Sequence, residues 1–296
     1  MNSPSNFLFR PWFLFVAWGV MCMLLFWKPL LALCQYALVN ANASHILLIP
    51  FIVAWLLYLD RQKIRHTFFD LTTASFFALP ATILAALGAL PPLAESSLAL
   101  AALILAFALF LIAGFAGVFG RHSIRAAWFP LAFLAFLVPF PEPVLNRIVY
   151  LLQAGSAEVA ERIFDWTGIP VLRDGFVFRL PRMSIEVAKE CSGIRSSIAL
   201  LILALLVAHF SFSRFWKKAV FAIAGLLMMV VKNGVRIATL TILANYVDPG
   251  FLYGRLHKEG GVVFFLIGLA LLLPLYWLLK RGEGTLTVSS SEASLP

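Results

Sequence analysis

Long runs of apolar residues, separated by short polar or Pro- and Gly-containing breaks, dominate the chain. A membrane-spanning helix needs about 20 mostly apolar residues. Eight stretches approach or reach that length, although the second and fifth are short, and they lie near 11–34, 46–59, 74–90, 97–119, 127–140, 192–211, 217–243 and 260–279. The pattern therefore predicts an all-α polytopic membrane protein with about eight transmembrane helices.

The segment 141–190 is the longest stretch between two predicted spans. Residues 143–166 place apolar side chains at helical spacing opposite charged ones, which predicts an amphipathic helix lying on the membrane surface. After it, 171–173 and 176–178 flank Asp174-Gly175, a signal for a hairpin with a two-residue turn. Residues 184–187 alternate as a third short strand. These elements predict a small extracytoplasmic cap made of a helix and a hairpin.

We expect a single integral membrane domain over residues 1–285, with the cap at 141–190 as its one sizeable extramembrane part. The Ser-rich residues 286–296 predict a disordered cytoplasmic tail. The first span could instead be a cleaved signal peptide, because Ala41-Asn42-Ala43 resembles a cleavage signature. Its long apolar stretch, which Lys28 interrupts, favours a retained span.

Composition excludes a water-soluble protein, and the placement of charge predicts the topology. The chain is 62% hydrophobic and 12% charged, against about 45–50% and about 25% in soluble domains. If the N-terminus is cytoplasmic, every inside segment is basic, whereas the outside connections 35–45 and 91–96 contain no Lys or Arg. The net charge of +9 thus indicates a membrane topology with the cap outside, and not a nucleic-acid partner.

Cys191 is the candidate nucleophile, because it lies where the cap meets the sixth span. The positive end of that helix, together with Lys189 and Arg195, favours the thiolate over the thiol. The alternative is that Cys191 is only a small apolar filler, which is how we interpret Cys22 and Cys34 inside the first span. Three cysteines are too few for a disulfide framework and lack the spacing of a metal site.

Three polar side chains interrupt the seventh span. Lys232, Asn233 and Arg236 lie three or four residues apart and therefore share one helix face. A charge at this depth costs about 2.5–3.5 kcal/mol on insertion scales, and it usually marks a polar cavity or a functional pairing. Two spans joined by a short turn bring Arg236 back to the face of the membrane where Cys191 lies. The alternative is that Arg236 and Lys232 extend to the outer interface without a function.

His257 lies at the outer start of the eighth span, on the same face as Cys191 and Arg236. An imidazole can take the proton of a thiol and return it to a leaving amine, while a guanidinium can bind an oxyanion or a substrate carboxylate. The three groups suit acyl transfer to a cysteine. The other histidines stand alone in the sequence, and we interpret each as ordinary: His45, His66, His122 and His209.

Three motifs together resemble the exosortase/archaeosortase family over roughly residues 90–280. They are Glu-Cys-Ser-Gly-Ile-Arg at 190–195, Asn-Gly-Val-Arg-Ile at 233–237, and His257 before the glycine pair 260–261. The resemblance implies catalytic roles for Cys191, Arg236 and His257. At the third of these positions the archaeal members have arginine. His257 therefore makes the chain resemble the bacterial branch. Glu190, Arg195, Asn233 and Lys232 are then candidates for substrate binding or support.

The resemblance also implies the reaction, the partners and the location. It implies an enzyme of the bacterial inner membrane that forms a cysteine thioester with exported proteins. The active site of such an enzyme lies on the periplasmic face. Those substrates carry a C-terminal sorting signal of the PEP-CTERM type: a short motif, a transmembrane helix and a basic tail. Membrane lipids are the other expected partners, and no cofactor and no nucleic acid are expected. The exact motif and the choice between transfer and hydrolysis stay open, although sorting favours transfer.

The main alternative is a polytopic transporter or lipid flippase. Arg236, Lys232 and His257 would then line a polar path, and Cys191 would be incidental. Transporters often contain internal repeats with paired broken helices, and the sequence shows none. A non-catalytic assembly subunit tied to envelope polysaccharide export would leave the three motifs without a role.

Overall fold

A computed structural model describes residues 5–64, 69–91, 93, 96–181, 183–187, 189, 193–252, 254 and 261–281. Within that part of the chain, six helices are long and apolar enough to cross a membrane, and up to eight spans result if two bent helix pairs each count as one. This confirms the predicted all-α polytopic membrane fold. The chain divides into two compact units, Met1–Ile148 and Val149–Pro296. The predicted tail at 286–296 lies outside the described residues.

The described residues of the first unit form six α-helices and two 3₁₀ helices. The α-helices are α1 (Ser5–Leu25), α2 (Trp27–Val39), α3 (Ile49–Asp60), α4 (Leu71–Gly88), α5 (Ser97–Ala126) and α6 (Trp128–Phe133), and the 3₁₀ helices cover Ala41–Leu48 and Leu134–Leu137. Gly114 lies on α5 against the indole of Trp18, which donates a hydrogen bond of 2.8 Å to the carbonyl of Phe110. Helices α1 and α5 therefore pack closely.

The first predicted span is wrong as a single helix. Helices α1 and α2 meet at Phe26 with a bend of 78°. Pro29 has no N–H to donate to the carbonyl of Leu25, and its ring crowds that carbonyl, so it favours a break in the helix here. Phe26 at the corner is buried in an apolar cluster with Cys22 and Phe107. Cys22 thus packs as an apolar side chain, whereas Cys34 is exposed.

The fifth predicted span, 127–140, is not one continuous helix either, and it reaches the length of a span only together with the following helix, Glu142–Thr167, at a bend of 99°. Helix α6 and the 3₁₀ turn after it end at Leu137, just before Pro139 and Pro141. Proline disfavours helical backbone in itself and in the preceding residue. At about 1.5 Å per residue, this segment reaches across only about half of the hydrocarbon core.

The described residues of the second unit form a long amphipathic helix, a small sheet and three helices long and apolar enough to cross a membrane. These are α7 (Glu142–Thr167, which begins at the end of the first unit), the strands β1 (Leu172–Asp174), β2 (Val177–Arg179) and β3 (Ser184–Glu186), then α8 (Ile194–Ser211), α9 (Phe215–Tyr246) and α10 (Gly261–Arg281). A 3₁₀ helix, Pro249–Leu252, follows α9. The strands form an antiparallel sheet in the order β1-β2-β3.

The predicted helix and hairpin of the cap are confirmed, with two corrections. The turn is displaced by one residue, because Asp174 pairs with Val177 and the two-residue loop is Gly175-Phe176. Gly175 has φ +60°, which suits the first loop position of a type II′ turn. The apolar face of α7 was expected on lipid, but its buried residues pack on protein. Phe164 contacts Phe178 of β2 at a ring separation of 5.3 Å.

The charges of the cap stay on its polar side. Arg173 of β1 forms ion pairs of 2.6 Å with Glu161 and 3.1 Å with Glu158, both on α7. Partial burial acts to lower the pKa of Arg173, but the two hydrogen-bonded carboxylates outweigh it and raise that pKa. These pairs tie the sheet to α7.

Candidate active site

The entry of α8 contacts α9 through Gly193. This residue precedes α8 in the left-handed conformation, with φ 64° and ψ 21°. A Cβ atom at Gly193 would lie 2.7 Å from Oδ1 of Asn233 and 3.6 Å from Nζ of Lys232. Any other residue would therefore combine a strained backbone with a clash. Glycine is what allows the turn after residues 190–192 to lie directly on the polar face of α9.

Lys232 is enclosed between three helices. Its side chain is 1% exposed, and Nζ donates a 2.7 Å hydrogen bond to Oγ of Ser196 in the first turn of α8. Ser196 in turn donates 3.0 Å to the carbonyl of Gly193. Gly268 of α10 packs on the aliphatic stem, since a Cβ there would lie 3.4 Å from Cδ of Lys232. The ammonium is thus held at the start of α8.

Asn233 joins α9 to α7. Its Nδ2 donates a 3.0 Å hydrogen bond to Oγ of Ser156, and both residues are buried. The next residue, Gly234, allows the two helices to approach, because a Cβ there would lie 2.9 Å from the carbonyl oxygen of Ser156. The cap helix is therefore fixed to α9 next to Lys232.

Arg236 lies one turn after Lys232 and is half-buried. It lines a cavity of about 50 Å³ between β3 and α9. The other lining residues are Ile185, Glu186, Val187, Ile237, Leu240 and Thr241. Arg236 therefore lies across this cavity from β3, the strand that leads the chain toward residue 191.

The strand β3 is held in place by the cap helix. Gln153 is 5% exposed, and its Nε2 donates a 2.8 Å hydrogen bond to the carbonyl of Val187, which directly follows β3. Val187 is itself buried, and its N–H donates to Phe176. Backbone on both sides of 190–192 is thus anchored: at Val187 by α7 and the sheet, and at Gly193 by α9.

The structure brings together part of the predicted site. Lys232, Asn233 and Arg236 lie on α9 as predicted, the first two against the entry of α8, whereas Arg195 is exposed on α8. Glu190, Cys191 and His257 lie outside the described residues, so their roles stay predictions. Within the described ranges, His, Cys, Asp and Glu form no group of three that could hold a metal ion.

Sequence reasoning missed the small polar partners of this site: Gln153, Ser156 and Ser196. Gln153 and Ser156 lie on the buried face of α7, among the apolar positions Leu152 and Ala160. A polar residue on the apolar face of an amphipathic helix was the available signal, because a buried polar group needs a hydrogen-bond partner. Ser196 gave no comparable signal, since serine is common in the first turn of a helix.

Comparison with known proteins gives one match. The transmembrane exosortase family (Exosortase_EpsH) matches residues 35–274. No curated protein and no solved structure matches the chain. The matched range covers most of the sequence and includes the anchored backbone at Val187 and Gly193 and the polar face of α9. The chain therefore belongs to the transmembrane exosortase family.

Proposed function

We propose that this protein is a cysteine peptidase and transpeptidase that cleaves the C-terminal sorting signal of exported proteins through a thioester on Cys191. Its family is one of membrane-embedded sorting enzymes, generally of the cysteine type, that act on exported proteins with sorting signals. Family membership favours this activity over the alternative of a transporter or lipid flippase. The substrate signal that we propose is the PEP-CTERM type, with its short motif, transmembrane helix and basic tail.

The observation that carries the proposal is the contact between Gly193 and the polar face of α9. Cys191 precedes Gly193 by two residues, and consecutive Cα atoms are about 3.8 Å apart. Covalent geometry therefore limits the distance from Cys191 to Gly193 to about 7.6 Å in Cα positions. A thiol on this short tether can work beside the helix face that bears Lys232, Asn233 and Arg236.

The chemistry follows from the three proposed catalytic groups. His257 takes the thiol proton, and the Cys191 sulfur attacks the carbonyl carbon of the peptide bond to be cut. Arg236 stabilises the oxyanion of the tetrahedral intermediate. When the intermediate collapses, the C–N bond breaks, His257 returns the proton to the leaving amine, and a thioester remains. An acceptor amine, or water, then attacks the thioester and releases the thiol.

The other residues support this arrangement. Asn233 binds the cap helix at Ser156, and Lys232 holds the first turn of α8. We propose that the site lies on the periplasmic face of the bacterial inner membrane, as the basic inside segments predict. The cap would shield the thioester from water and admit the acceptor.

The test is co-expression with a substrate that carries a C-terminal motif, transmembrane helix and basic tail. We expect Cys191→Ala to abolish the size shift of the substrate, whereas Cys22→Ala combined with Cys34→Ala should leave it. Arg236→Lys should also abolish the size shift, because one ammonium cannot reproduce the forked donors of a guanidinium. Processing that survives Cys191→Ala in a membrane-inserted protein would end the thioester mechanism.

The fate of the acyl group is read from the new C-terminus of the mature substrate. Transfer to an acceptor adds mass to that carboxyl group, and mass spectrometry detects it. A free carboxylate on every mature molecule would show hydrolysis and remove the transpeptidase step, while leaving the nucleophile in its role.

A further inference from the structure

Helices α8, α9 and α10 leave an apolar groove between them, with a volume of about 330 Å³. Leu203, Val207 and Ser211 of α8 line this groove. Tyr276 of α10 and Phe221 of α9 line it from the other two helices. Apart from the hydroxyl groups of Ser211 and Tyr276, the lining side chains are hydrocarbon. The groove therefore suits an apolar ligand and not water.

The groove begins at the end of α8 and has nearly the depth of one lipid leaflet. Ser211 is the last residue of α8, and Leu203 lies near the middle of that helix. At about 1.5 Å per residue the groove extends about 12 Å, whereas one half of a hydrocarbon core of about 30 Å is about 15 Å. Trp216 and Trp277 are exposed at the same end of α9 and α10, as is typical of aromatic residues at a membrane interface.

Two ammonium groups lie at the end of the groove that Ser211 marks. Nζ of Lys280 donates a 3.3 Å hydrogen bond to the carbonyl of Ser211, which itself lines the groove. Lys217 precedes the lining residue Phe221 by one helical turn, and its Nζ donates a 2.8 Å hydrogen bond to the carbonyl of Leu279. The apolar groove thus ends at a basic surface.

The excess of positive charge at this end is large. Arg214 and Arg281 are exposed here, and Lys218 is half-buried. The described helices α8, α9 and α10 contain no Asp and no Glu. Glu283 follows α10 outside the described residues, and with it the segments 209–218 and 276–285 together still have five basic residues against one acidic residue. The excess therefore holds wherever Glu283 lies.

We propose that the groove binds one acyl chain of an anionic phospholipid, whose phosphate contacts Lys280 and the basic residues around it. The ammonium of Lys280 has three N–H donors and gives one to Ser211, so a phosphate oxygen can accept from the others. The basic segments predict that this end is cytoplasmic, and basic sites between helices on that side are typical places for anionic headgroups.

The dimensions and the charge favour a phospholipid over a peptide. A helix with its side chains is about 10–12 Å in diameter, so a 12 Å length of it has a volume of about 1,000 Å³, several times that of the groove. The basic tail of the proposed substrate signal would be repelled at the basic end. A phospholipid combines a narrow apolar chain with a negative charge at its end, which is the combination that the groove and its basic end match.

The experiment measures the binding of radiolabelled dioleoyl phosphatidylglycerol to the purified full-length protein in a neutral detergent. We expect a saturable component of about one lipid per chain, for which phosphatidylcholine with the same acyl chains competes at least about tenfold less well. Lys280→Gln combined with Arg281→Gln should weaken the binding about tenfold or more, because two charges near the phosphate are lost. Val207→Phe should weaken it to a similar extent, because the larger side chain fills the groove while every charge stays.

The matched control is Arg61→Gln combined with Lys63→Gln, which removes two exposed basic residues at the end of α3 and leaves the groove unchanged. This variant should bind phosphatidylglycerol as the unchanged protein does. An equal loss in the control, or an unchanged affinity in either groove variant, would overturn the inference. So would equal competition by phosphatidylcholine. Absence of saturable binding would mean that another occupant, such as the substrate helix, fills the groove. The unfolding midpoint shows that each variant is folded.

Discussion

Two lysines lie buried on the same helix, α9, and their surroundings are opposite. Lys217 is 3% exposed, and its Nζ donates a 2.8 Å hydrogen bond to the carbonyl of Leu279, in the last turn of α10. Lys232 is 1% exposed, and its Nζ is bound at the first turn of α8. A helix C-terminus carries partial negative charge and a helix N-terminus partial positive charge. The helix end that each lysine contacts therefore favours the charge of Lys217 and disfavours that of Lys232.

The difference separates a lysine at a helix C-terminus from a lysine at a helix N-terminus. Lys217 satisfies a carbonyl that α10 cannot pair internally, so its burial stabilises the bundle. Lys232 contacts the positive end of a helix, and within the described residues no carboxylate contacts it. Natural proteins retain such local conflicts mainly at functional sites. Burial alone would not distinguish these two residues, but the sign of the helix end that each one contacts does.

The largest effect should come from closing the space between α8 and α9. We expect Gly193→Ala to reduce processing by about 100-fold or more, because the new Cβ would displace Asn233 and the turn after Cys191. The backbone strain at positive φ adds about 1–2 kcal/mol of destabilisation. Substrate processing in co-expressing cells and chemical unfolding of the purified protein measure the two effects.

The matched control for that change is Gly168→Ala. Gly168 also has positive φ, at 69°, but a Cβ there would meet nothing within 4 Å. Gly168→Ala should therefore lower the free energy of unfolding only by the backbone strain, and it should leave processing of the folded protein unchanged. Equal losses in the two variants would mean that strain, and not the contact with Asn233, is what matters at Gly193.

The second prediction exchanges the two lysines for methionine. Lys217→Met should lower the free energy of unfolding by about 1.5–3 kcal/mol, the usual value of a hydrogen bond from a charged group. Processing per folded molecule should not change. Lys232→Met should leave the unfolding free energy unchanged or raise it, since a buried charge is replaced by an apolar side chain. Processing should nevertheless fall, because the hydrogen bond that holds the first turn of α8, which begins three residues after Cys191, would be lost.

Denaturant unfolding in detergent and the substrate assay together test this crossed pattern. Stability and processing should separate, with each lysine affecting one of them. If both variants lose stability and activity in the same proportion, the distinction between the two lysines is wrong.

The sequence predicts the elements better than it predicts the contacts between them. The polar face of α9, the helix α7 and the hairpin all follow from periodicity and turn residues, and the structure has them. The bend at Phe26 was also within reach, because Pro29 cannot continue the hydrogen-bonding of α1. The turn register was not, because it depends on burying Phe178 against Phe164, a contact between separate elements.

The site was predictable to the same extent. Spacing places Lys232, Asn233 and Arg236 on one helix, but it does not say which helix end the ammonium of Lys232 meets. That depends on the left-handed turn at Gly193 and on the partner Ser196, which are brought near α9 only by packing. The charges of Lys217 and Lys232 look alike in sequence, and their opposite environments are properties of the three-dimensional arrangement.

The smallest effect should come from Lys280, which reinforces the end of the bundle where Lys217 lies. Its Nζ donates a 3.3 Å hydrogen bond to the carbonyl of Ser211 at the end of α8, but the residue is exposed. Water can replace such a bond, so Lys280→Ala should lower the unfolding free energy by no more than about 0.5 kcal/mol. Denaturant unfolding in detergent measures this, with Lys217→Met as the reference. A loss as large as that of Lys217→Met would mean that exposed charges, and not the buried lysine, stabilise this end of α9.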